Sequence, residues 1–190
     1  MKDIVLVGGG GHAKSVIDVI EVQEKYKIIG IIDKKELIGE ELLGYKYIGC
    51  DDDLEKIFGK CPYAVIGVGH INSNDIRVKL FEKIQKVGFY LPNIISPLAY
   101  VSKHAFVDEG SIVMHHALVN ADVKVGKNCI INSKSLLEHG VMIGDNSHIS
   151  TGAIINGDAK VKTNSFIGSG AVVIQGALVS GFIKAGSLVQ

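Results

Sequence analysis

From Tyr100 onward the chain keeps a period of six. Cut in sixes it reads YVSKHA, FVDEGS, IVMHHA, LVNADV, KVGKNC, IINSKS, LLEHGV, MIGDNS, HISTGA, IINGDA, KVKTNS, FIGSGA, VVIQGA, LVSGFI, KAGSLV, fifteen units without an insertion. The second place is Val, Ile or Leu in every unit but the last, where it is Ala185. The sixth place is mostly Ala, Ser, Val or Cys. Six residues make one short strand and one turn, so aliphatic second places stack inward as ladders and small sixth places fit tight corners. Such a unit cannot bury its inner face alone, and a run of them coils into a solenoid. The Gly, Asn and Asp residues between suit the turns.

Residues 1–95 have another rhythm. DIVLV reads as a buried strand, AKSVIDVIEVQ has helical spacing, and KIIGIID is a second strand. Residues 47–50 suggest a short third strand, DDDLEKIF opens on N-cap residues, YAVIGVG is another strand, and NSNDIRVKLFEKIQKVG is a helix closing at Gly88. Strand and helix alternate, which predicts a small parallel Rossmann-like α/β sheet. Pro92 and Pro97 mark the junction, giving two domains, 1–95 and 96–190.

After the first strand, VGGGGHA places Gly8, Gly10 and Ala13 in a G-x-G-x-x-A pattern, and Asp33 closes the second strand twenty residues past Ala13. Glycines let backbone approach a phosphate, a helix N-terminus attracts it, and the acid suits a ribose or base. A tight turn with no ligand shares this signature. The α/β half is too short for a full dinucleotide domain, so a mononucleotide or nucleotide-sugar fits better.

Composition narrows the classes. Formal net charge is zero and Arg77 is the single arginine, which argues against nucleic acid or an anionic membrane as partner. Cys50, Cys61 and Cys129 form no CxxC pair, so reduced thiols in a cytoplasm are expected. The apolar run of MKDIVLVGGGG stops at glycines, which reads as neither signal peptide nor membrane span.

The GGGGH turn, the Gly67–Gly69 turn followed by Arg77, and the solenoid with its Glu138–His139 pair together resemble one family: the sialic acid O-acetyltransferase and UDP-4-amino-sugar N-acetyltransferase family of left-handed β-helix acyltransferases. The resemblance implies three hexads per coil, hence eighteen residues per lap, and a homotrimer using acetyl-CoA as co-substrate and a nucleotide-sugar or sialic-acid-like acceptor, with no metal. His139 and Gly157, eighteen apart, become stacked neighbours roughly 4.8 Å apart. His148, nine residues from His139, lies half a coil away and meets it only across a subunit interface.

In that family reading His139 is the general base, the Gly157 N–H binds the acetyl carbonyl, and His148 and Asn132 line the acetyl-CoA cleft. Gly10, Gly11, His12, Asp33 and Gly67 hold the nucleotide-sugar, with Arg77 either on its diphosphate or solvated on a helix. Cys129 is a packing residue. The chain departs from the family at Gly140, where an acid usually orients the base; one of Asp122 and Asp158, one lap before and after, is expected to hold the His139 ring instead. Relatives also usually continue past the last coil into a G-x-P-A type segment, where this chain reads KAGSLVQ. Competing expectations are O-acetylation, a solenoid metalloenzyme using His115, His139 and His148, and an inactive sugar-binding scaffold.

Overall fold

A computed structural model describes residues 1–190, which divide into two compact units. The first comprises Met1–Gly69 and Asp75–Pro92. Its elements are β1 (Lys2–Val7), α1 (Gly11–Gln23), β2 (Tyr26–Ile32), β3 (Glu41–Leu42), β4 (Tyr45–Gly49), α2 (Leu54–Phe58), β5 (Ala64–Ile66) and α3 (Asp75–Val87). The sheet order is β3-β4-β2-β1-β5, parallel throughout except where β3 meets β4. Ile4–Val7 and Ile31–Ile32 are buried on both faces, which is why DIVLV and KIIGIID read as unbroken apolar runs. Sequence reasoning missed the hairpin of β3 and β4. Its turn residues Leu43 and Gly44 both have positive φ, 50° and 83°, the geometry of a two-residue hairpin loop, but Leu in that role gives no signal.

The second unit comprises His70–Asn74 and Asn93–Gln190. Residues 70–74, expected in the first domain, group here because the Asn74 amide donates to the Asn146 carbonyl at 3.1 Å and to Asn164 Oδ1 at 2.8 Å. The array forms three parallel sheets of six, five and six two-residue strands, a left-handed β-helix. Leu118 pairs with Tyr100 on one side and Leu136 on the other, an eighteen-residue lap. Second-place side chains from Val113 to Val179 fill the interior, each at most 4 % exposed.

Two details differ from the sequence reading. The array begins one hexad earlier, at IISPLA, since Ile94–Ile95 pairs with Ile112–Val113; Pro97 occupies a turn place, where its fixed φ is harmless. The last lap is short: Phe182 pairs with Phe166 and Leu188 with Val172, sixteen residues apart. The correct cut is therefore LVSG, FIKAGS, LVQ, and Ala185 at a second place was the trace of the wrong register.

The fifth place has its own rule. Asp122, Asn128, Lys134, Asn146, Asp158 and Asn164 have φ between 55° and 61°. This left-handed corner favours Gly, Asn and Asp, whose backbones tolerate it.

Candidate active site

Strands Leu118–Val119, Leu136–Leu137, Ile154–Ile155 and Val172–Val173 stack in one sheet. The corner after them carries Ala121, His139, Gly157 and Gln175 as a column. Gly157 is buried and lacks left-handed backbone, so its φ alone would admit any residue. The His139 ring requires the glycine: a Cβ at 157 would lie 2.6 Å from Cε1 and 2.8 Å from Nε2 of that imidazole. The expected stacking of 139 on 157 is thus present. The Gly157 N–H has no partner within the chain, and His139 itself is exposed.

Glu138 supports the histidine from behind. Its Oε2 accepts the His139 backbone N–H at 3.3 Å and the Asn120 amide from the preceding lap at 2.9 Å. Asn120, overlooked in the sequence, sits eighteen residues before Glu138, so lap arithmetic was the signal that pointed to it.

The expected orienting acid is not in place. No hydrogen bond joins the His139 ring to Asp122, Asp158 or Glu138 within the chain. Asp122 and Asp158 are both exposed, in left-handed corner conformations. Gly140 shares that conformation, with φ of 69°. A side chain at 140 would run into Asp158 Oδ1, so the carboxylate of the next lap fills the space that an acid at 140 would need. We expect Gly140→Asp to destabilise the protein by about 1–2 kcal/mol through crowding of like charges, and Gly140→Asp with Asp158→Gly to restore it, as read by chemical denaturation.

His148 lies in a different sheet from His139, paired with Ile130 and Phe166, so the two imidazoles stand apart in one chain. The His148 ring is buried, and its Nδ1 meets the His70 carbonyl at 2.8 Å. A carbonyl only accepts, so Nδ1 carries the proton and Nε2 accepts the Asn132 amide at 3.1 Å. Phe166 packs edge-on at 5.1 Å. Both ring nitrogens of His148 are engaged inside the chain, and Asn132 shares that engagement. Of the other imidazoles, His115 Nδ1 bonds Ser96 Oγ at 2.7 Å. No three His, Cys, Asp or Glu side chains converge within the chain to hold a metal ion.

In the first unit, β1 and β5 are neighbours while β2 lies on the far side of β1. This strand-order reversal opens a crevice at the carboxyl ends. A groove of about 420 Å³ there is lined by Gly8, Asp33, Lys34, Asp51, Val68 and Leu80, among others, a volume suited to a small ligand. Gly8 has φ of 92° and would strike the Val68 side chain if substituted; Gly67 would strike the Gly8 carbonyl. Gly10 and Gly11 face open space, and α1 starts with no side-chain cap and no acid in its first turn. The first N–H groups at Gly11 and His12 thus present a helix terminus suited to an anion.

Asp33 clasps this turn, its Oδ2 accepting the Gly9 N–H at 2.6 Å and its Oδ1 the Lys34 N–H at 2.8 Å. The Tyr47 hydroxyl donates to the Gly9 carbonyl at 3.2 Å. Burial, then the charges of Asp33 and Glu40, push the phenol above its usual pKa, keeping that donor protonated.

Arg77 is not the solvated helix residue of one expectation. It is fully buried, and its Nη1 donates to the carbonyls of Ile66 at 3.1 Å and Val68 at 2.8 Å. These bonds tie α3 to the end of β5.

A Rossmann-like unit with an open glycine turn, together with a β-helix that stacks an exposed imidazole on a bare glycine, defines the class of hexapeptide-repeat proteins that carry an N-terminal α/β half. Residues 3–84 match the family model described as the PglD N-terminal domain. The chain is 30% identical over 116 residues to the UDP-N-acetylbacillosamine N-acetyltransferase of Bacillus subtilis (strain 168), covering 60% of this chain. It aligns with the acetyltransferase domain of PglB from Neisseria gonorrhoeae FA1090 in complex with acetyl coenzyme A at 28% identity and a TM-score of 0.92, covering 100% of this chain and 91% of that one. It also aligns with PerB from Caulobacter crescentus in complex with CoA and GDP-perosamine, at 27% identity and a TM-score of 0.70, covering 97% of this chain and 92% of that one. The curated relatives are longer, and the chain spans 23% of one and 52% of the other. Over residues 3–84 the chain thus resembles the PglD N-terminal domain, and over its whole length it shares the fold of these acetyltransferase structures.

Proposed function

We propose that the protein transfers the acetyl group of acetyl-CoA to the amino group of a nucleotide-linked amino sugar. The observation that carries this is the His139 ring lying on Gly157, whose N–H is unpartnered: a base and an oxyanion donor side by side. The neutral sugar amine attacks the thioester carbonyl carbon, and His139 takes the proton it sheds. The Gly157 N–H donates to the carbonyl oxygen as negative charge develops there. The C–S bond then breaks, the amide forms, and the imidazolium returns its proton to the departing thiolate. No protein nucleophile and no metal enter these steps.

The glycine turn is the acceptor site of this reading. The α1 terminus at Gly10, Gly11 and His12 takes the diphosphate, and the groove at Asp33 takes the nucleoside, with Gly67 packed behind the Gly8 carbonyl of that turn. His148 and Asn132, locked together, form one wall for the acetyl-CoA arm rather than supplying free ring nitrogens.

The active form of this reading is a homotrimer. The outer face beside His139 carries Tyr100, Leu118, Leu136, Ile154, Val172 and Leu188 in register. Such an apolar ladder marks a surface that a second copy covers. No helix is long and apolar enough to cross a membrane, and the three cysteines form no disulfide, which suits a reducing cytoplasm.

The test is thiol release from acetyl-CoA with a panel of UDP- and GDP-linked amino sugars, with and without a chelator. Turnover with an amine acceptor, unaffected by chelation and giving a base-stable amide, is expected. A base-labile ester product would transfer the reading to O-acetylation of a sialic-acid-like sugar, and no release with any acceptor would overturn it.

A further inference from the structure

Backbone N–H groups just past these strands are commonly covered by the preceding side chain. Asn120 Oδ1 takes the Ala121 N–H at 2.7 Å, and Glu138 Oε2 takes that of His139 at 3.3 Å. Asp108 and Asn132 do the same for Glu109 and Ser133, each at 2.8 Å. Asn156 is the next residue in the column of Asn120 and Glu138 and precedes Gly157. It is of the capping type, yet it does not cap. Its Nδ2 donates to the Val173 carbonyl at 2.8 Å, beside its own backbone N–H on the same oxygen at 3.0 Å. A carbonyl can only accept, so this contact fixes which end of the amide lies there. Oδ1 forms no bond to the Gly157 N–H.

We propose that Asn156 is a positioning residue that keeps the oxyanion donor uncovered: the lap above holds its amide, so the Gly157 N–H stays available to the acetyl oxygen. This rests on the acetyl-transfer reading. It explains why the corner uses Asn rather than Asp, since a carboxylate cannot donate to Val173 and, as an acceptor only, would turn onto the N–H.

The test compares Asn156→Ala, Asn156→Ser and Asn156→Asp by steady-state kinetics, with circular dichroism to verify folding. Ala loses only the tether and is expected to keep kcat within about tenfold of the parent. Asp, which caps Gly157 as Asp108 caps Glu109, is expected to lower kcat by about 10²–10³-fold with acceptor KM unchanged. Ser, small and uncharged but able to accept the same N–H, is expected to fall between them and serves if the Asp variant does not fold. Equal losses for Ala, Ser and Asp would overturn the proposal and leave Asn156 a corner tether. A parent protein that transfers acetyl to no acceptor would remove the acetyl-transfer reading itself, and this inference with it.

Discussion

His139→Ala is expected to lower kcat for acetyl transfer by about 10²–10⁴-fold, the usual share of a positioned general base, while the fold and assembly survive. The side chain is exposed and its ring makes no hydrogen bond within the chain, so truncation leaves no buried group unsatisfied. The backbone bonds at this corner, Asp158 N–H to the His139 carbonyl at 2.9 Å and Gly140 N–H to the Ala121 carbonyl at 3.1 Å, do not involve the ring. Retained circular dichroism and light-scattering mass alongside lost turnover would assign the defect to chemistry. Activity within a factor of a few of the parent would remove His139 from the mechanism.

Arg77→Ala is the complementary case, a large effect expected on stability. The guanidinium is fully buried and satisfies two carbonyls at the end of β5. Removing it strands those acceptors and leaves a cavity, so a loss of about 3–5 kcal/mol is expected in chemical denaturation. Arg77→Lys should recover only part of it, because the shorter, more strongly hydrated ammonium costs more to bury and does not fill the space of the guanidinium. A variant as stable as the parent would show that the burial of Arg77 contributes nothing to the first unit.

Much of this architecture is legible in the sequence because the solenoid follows a local rule. Each hexad buries its own second-place residue, so the period appears without knowledge of long-range contacts, and the eighteen-residue lap then stacks His139 on Gly157. The shortened lap at LVSG escaped because an aliphatic pattern persists for a few residues in either register. Arg77 escaped for another reason. Its partners are carbonyls of a strand end nine and eleven residues away, and backbone acceptors leave no mark on a sequence. His148 stands at an outward place, yet it is buried because residue 70 supplies its Nδ1 partner across 78 positions, a pairing that no periodicity announces. Asn156 was legible only as turn chemistry; the direction of its amide needs coordinates.

The left-handed corner at Gly140 has one more consequence. Adjacent steps of that column share a backbone shape, and their side-chain volumes overlap: Asp158 Oδ1 stands where a Cβ at 140 would be. That oxygen is the exposed tip of a short side chain, so Asp158 has to swing aside before 140 can carry an acid, and it can do so without the main chain moving. A carboxylate on either tread would bring its negative charge to the same flank of the staircase.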